Sequence, residues 1–179
     1  MKTETKVYEQ GLEEYPKVGI FISNLLMLIW IALGTIGCWF LSPIVALIYF
    51  AFAIIMVGIV LRKLLCTSCY YYDKWCCLGW GKLSGLLFKK GNIEEFNTSI
   101  GQKLAPATYG ILTLIPLILI VISIIQKFAV SKIVVLLFIL LISFYSGAIN
   151  RKKTCAKCKM RLMCKGSAVH PHTNINLKK

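Results

Sequence analysis

The sequence predicts an all-α integral membrane protein. Its expected form is a four-helix transmembrane bundle built from two pseudo-repeated helical hairpins, each followed by a cytoplasmic Cys-rich segment. Three observations lead there. Apolar residues make up 58% of the 179-residue chain and Asp, Glu, Lys and Arg only 16%, against about 45–50% and about 25% in soluble domains. The apolar excess is gathered into four long runs. The pattern R-K-x-x-C-x-x-C occurs twice, each time just beyond a pair of those runs. Such a chain is not a soluble enzyme, a β-barrel or a disordered tail.

Taken in order, residues 1–17 carry mixed charge, and no small-residue cleavage site follows a short apolar core. The first run is therefore expected to stay as an anchor rather than be removed as a signal. That run, residues 18–40, is 23 residues without a charged side chain, where roughly 20 suffice to cross the hydrocarbon. Leu41, Ser42 and Pro43 leave room only for a tight turn, with Ser42 as cap and Pro43 in the first turn, where a missing N–H costs nothing. Residues 44–61 complete the first hairpin, 18–61.

The loop of residues 62–106 is predicted to hold two short amphipathic helices. In one, Leu83, Leu86 and Leu87 share a face flanked by Lys82, Lys89 and Lys90. The other opens on Asn92 and Glu95 and stops at Pro106. The second hairpin, 107–149, pairs residues 107–125 with 133–149. Within it, Pro116 should free the carbonyl of Leu112 and kink its helix, and Lys132 should snorkel to the headgroups. Helix contacts are predicted at small residues: Gly34, Cys38, Ala46, Ala53, Gly58, Ser143 and Gly147. A basic Cys-containing tail, 150–179, follows.

Nineteen of the 21 Lys and Arg residues lie in segments 1–17, 62–106 and 150–179. The positive-inside rule then places both termini in the cytoplasm, and the expected location is the cell membrane of a prokaryote. Arg62, Lys63, Arg151, Lys152 and Lys153 border the spans and are expected to contact anionic lipid, at about 1 kcal/mol per residue near the surface. The expected partners are the bilayer, anionic lipids included, and a protein not identifiable from sequence. Nucleic acid is not expected, because the chain has no module that reads it.

Seven of the eight cysteines fall on the side assigned to the cytoplasm, where thiols stay reduced. A C-x-x-C pair offers two thiolates from one turn, and two pairs complete a tetrahedral sulfur shell around zinc. Cys66, Cys69, Cys155 and Cys158 fit that arithmetic. Cys76, Cys77 and Cys164 are possible additional thiol ligands and open iron or iron–sulfur ligation as an alternative; His170 and His172 could add an imidazole. Nearby lysines are expected to favour thiolates.

The expected function is thus a multi-pass membrane protein whose cytoplasmic thiolate site, holding zinc, joins the hairpins in a structural or interaction role. Alternatives are a membrane redox protein, through iron centres or thiol–disulfide exchange, and soft-metal handling or transport. The spans contain no Asp, Glu, Lys, Arg or His, which argues against proton-coupled transport. Outside the cysteines there is no nucleophile–base pair, so the expectation leans away from an enzyme.

Overall fold

A computed structural model describes residues 7–169; among these the chain is all-helical, with no strand. Four helices are long and apolar enough to cross a membrane: Lys17–Trp39, Pro43–Cys66, Ile93–Gln126 and Val130–Ala156. The first is α1 (Lys17–Trp39). In the second, α2 (Pro43–Ile55) runs on through π-helical turns at Met56–Val60 and Arg62–Cys66. The short α3 (Trp80–Leu87) lies in the central loop. The third span is α4 (Ile100–Gln126). In the fourth, α5 (Val130–Phe144) passes through a π-helical turn at Tyr145–Asn150 into α6 (Arg151–Ala156).

α1 is the central helix, packed against α2, α4 and α5, while α4 and α5 also touch each other. α5 lies outermost. Trp30 on α1 holds it by donating its indole N–H to Ser143 Oγ at 3.0 Å. The core between α1, α2 and α4 is built from small residues facing large ones: Cys38, Ala46 and Ala53 are wholly buried, as are Leu112 and Ile120.

Pro116 lies inside α4 and has no N–H for the carbonyl four residues back. That carbonyl, on Leu112, is not left bare, because the Tyr49 hydroxyl on α2 donates to it at 2.9 Å. Gly34 makes the approach possible, since a Cβ there would collide with the Tyr49 hydroxyl. The proline in one helix, the phenol in a second and the glycine in a third form a single polar contact within an apolar interior.

Several expectations are corrected. Lys132 does not reach outward; it is buried and donates to the carbonyls of Ser123 at 2.7 Å and Lys127 at 2.8 Å. Those carbonyls lie at the C-terminal end of α4, where Ser123 also accepts the Lys127 N–H, so a cation there both caps the helix and meets its negative dipole end. The Ser42 side chain makes no cap bond; its carbonyl accepts the Ala46 N–H instead. Gly58 and Gly147 pack against nothing, because a Cβ at either would find open space. The helix expected to stop at Pro106 is instead a 3₁₀ turn, Ile93–Asn97, capped by Asn92, followed by α4 itself. The Ser99 side chain accepts the Gly101 N–H at 3.2 Å, and this cap starts α4 early enough to carry it through Pro106 into the span.

Candidate functional site: a thiol cluster at one end of the bundle

The second and fourth spans end alike. Arg62 precedes Cys66 by one helical turn and Arg151 precedes Cys155 by one turn, so the first cysteine of each pair sits at a helix end. The chain then turns in the same way twice. Cys69 N–H donates to the Cys66 carbonyl and Tyr72 N–H to the Cys69 carbonyl; Cys158 N–H donates to Cys155 and Arg161 N–H to Cys158. Lys74 N–H bonds Tyr71, and Met163 N–H bonds Met160. Tyr71 and Met160, at matching positions, are each 2% exposed. The two segments therefore share a backbone conformation as well as a sequence spacing.

Residues 7–16 tie the two segments together at this end. Leu12 forms a parallel bridge with Cys158. Tyr8 N–H donates to the Lys159 carbonyl and Leu12 N–H to Lys157, both at 2.9 Å, while Tyr15 N–H donates to Trp75 in the first segment at 2.8 Å. The Tyr71 hydroxyl joins all three pieces, donating to the Leu12 carbonyl at 2.6 Å and accepting the Lys159 N–H at 3.1 Å. Glu13 receives Lys159, Lys74 and the Tyr70 hydroxyl, and these three donors hold its carboxyl down at about 2. Asn24 anchors the first segment to α1 by donating to the Leu78 carbonyl and accepting the Trp80 indole N–H.

This folding brings thiols from the two segments into mutual electrostatic range. Cys69 and Cys77 both feel Cys158, Cys66 feels Cys76, and Cys155 and Cys164 gather around Cys158. The contacts across the segments that the structure shows are made by the Tyr71 hydroxyl, which accepts the Lys159 N–H, and by residues 7–16, which bond both. Among the described residues, however, no three Cys, His, Asp or Glu side chains stand close enough to hold a metal ion as placed. All eight thiols are free. His170 and His172 lie outside the described residues.

Lysine density does not set the state of these thiols; burial does. It pushes Cys158 up to about 11 and raises Cys69 and Cys164 as well, because a thiolate removed from water is costly. Cys76 moves the other way. It accepts a hydrogen bond from the Cys77 thiol, and the backbone N–H groups of Gly81, Leu78 and Trp80 face it, holding it below the usual thiol range while Cys77 is driven above. Gly81 N, in the first turn of α3, lies 3.4 Å from Cys76 Sγ.

The basic residues at the span ends divide. Arg62 stacks on the Trp80 ring, 4.1 Å from its centroid, and Arg151 donates to the Gly166 carbonyl at 2.6 Å. Lys63, Lys152 and Lys153 are exposed. Sequence reasoning missed Glu13, Asn24 and Tyr71 as organisers of this end. Glu13 sits among Glu9 and Glu14 in a mixed-charge stretch that singles none of them out, whereas for Asn24 a lone amide in an apolar run was the available signal. Compared with known protein families, curated proteins and solved structures, the chain has no significant match.

Proposed function

We propose that this is a multi-pass membrane protein of two pseudo-repeated hairpins, joined on the cytoplasmic side by a cysteine-thiolate metal site in a structural or interaction role. The observation that carries the reading is that two cysteine segments 89 residues apart are tied together at one end of the bundle, by the Tyr71 hydroxyl and by residues 7–16. The repeat is supported by the matching turns after Cys66 and Cys155 and by π-helical turns at Met56–Val60 and Tyr145–Asn150, in one register at that same offset. Zinc is the proposed ion and Cys66, Cys69, Cys155 and Cys158 its ligands, because four thiolates make a closed structural shell. Loading would draw the two pairs inward and release the protons that burial holds on the thiols. Cytoplasmic placement rests on the basic residues concentrated at this end, with exposed Lys63, Lys152 and Lys153 set against anionic lipid.

Metal analysis of anaerobically purified protein tests the proposal. Stoichiometric zinc is expected, and Cys69→Ser and Cys158→Ser should each lower it to a similar extent, with no further loss in the double variant. Additive losses would mean that each segment binds its own ion, and would end the shared site.

A second reading, thiol–disulfide exchange, is favoured by Cys76 with its Cys77 and Gly81 donors. Cys76 thiolate would attack a partner's disulfide, displacing one partner sulfur as thiolate. A neighbouring thiol of this chain would then release the other, leaving the partner reduced and an intramolecular disulfide here. A mixed disulfide trapped at Cys76 would support this reading over the first.

A further inference from the structure

We infer that residues 7–16 form a strap that restricts access to the thiol cluster, so that reagents and ions from water reach the half-buried Cys77 and Cys158 faster once the strap lifts. The strap crosses both cysteine segments, bonded to Lys157 and Lys159 in one and to Trp75 in the other. Two of its residues border the cysteines. Leu12 pairs with Cys158, and Tyr15 lies against Cys158 and Cys77, sharing with Cys77 the lining of a cavity of about 240 Å³.

What holds the strap is suited to opening. It is held by backbone pairings, the Tyr71 and Tyr15 hydroxyl bonds and exposed charges, with little apolar burial apart from Tyr15 on the Tyr71 ring: Leu12 is 36% exposed, and the Glu13 side chain, its main ionic anchor, is 63% exposed. An element with few buried apolar contacts opens locally long before the bundle does. Gly11 sets how closely it lies, since a Cβ there would fall 2.8 Å from the Lys159 backbone nitrogen and 2.9 Å from its Cα. Backbone cannot yield as a side-chain tip can, so a larger residue must push the strap and the Lys159 backbone apart.

The role as gatekeeper of a metal site rests on the proposed function; the gating of the thiols themselves does not. The test uses the full chain, reduced and metal-free in lipid nanodiscs, treated with a water-soluble maleimide, with labelling read residue by residue by mass spectrometry. In Gly11→Val, Cys77 and Cys158 should label roughly tenfold faster than in the wild type, with Cys38, buried in the bundle, as protected as before. Tyr71→Phe, which deletes the bonds to Leu12 and Lys159 without adding volume, should give a smaller rise at the same two thiols. Unchanged rates in both variants would overturn the gate, and so would equal acceleration at Cys38, which would mean a loosened bundle. A protein that binds no zinc yet labels faster in Gly11→Val keeps the gate and loses the metal site.

Discussion

At the residue scale, two polar side chains do work that the apolar runs conceal. Tyr49 supplies the donor that Pro116 withholds from Leu112. Removing only the hydroxyl, in Tyr49→Phe, leaves a wholly buried carbonyl unpaired and is expected to cost about 1 kcal/mol, as buried hydrogen bonds commonly do. Unfolding in mixed micelles would measure this. Lys132 caps α4 with two charge-assisted bonds, and Lys132→Met is expected to cost roughly 1–2 kcal/mol by the same assay. Glu13 gives a sign that can be checked by titration. Its carboxyl is held at about 2 by Lys159, Tyr70 and Lys74, so its ionic contribution is present above the ordinary carboxylate range and is lost only as pH falls toward that value. Carboxyl NMR should find Glu13 titrating far below the ordinary carboxylate range, and Lys159→Ala should move it back up.

At the scale of elements, one amide ties α3 and the first cysteine segment to α1, alongside the stacking of Arg62 on Trp80. Asn24 donates to the Ile20 and Leu78 carbonyls and accepts from Trp80. Asn24→Ala is expected to remove all three bonds at a cost of about 1–3 kcal/mol and to shift the fluorescence of Trp80 to longer wavelength as its indole loses its partner. The contrast with α4 is instructive. Pro106 lies inside that helix without ending it, because one absent N–H frees one carbonyl, whereas the Ser99 cap organises the whole first turn.

At the scale of the whole molecule, burial of the thiols makes any metal binding a proton-release reaction. Cys158, raised to about 11, and Cys69 and Cys164, also raised, are protonated at neutral pH, and the metal needs the thiolate. Affinity for zinc is therefore expected to climb with pH, by about tenfold per unit for each proton displaced, as competition with a chromophoric chelator would reveal. Flat affinity across neutral pH would mean that the ligands are thiols already ionised, and would turn attention to Cys76.

The sequence by itself determined the class of molecule and the positions of its four spans. Hydrocarbon demands uninterrupted apolar runs of fixed length, and that requirement is local enough to read along the chain. It also disclosed the twofold R-K-x-x-C-x-x-C pattern and the carbonyl freed by Pro116. Only the tertiary structure decided what meets what: that Tyr49 answers Pro116, that Lys132 turns inward, that Tyr71 bonds both residues 7–16 and the second cysteine segment, and that residues 7–16 bond the backbone of both cysteine segments. The reason is physical. Span formation is governed by the composition of a single segment, whereas each of these contacts depends on the direction of side chains from elements far apart in the chain, fixed only when α1 packs against its three neighbours.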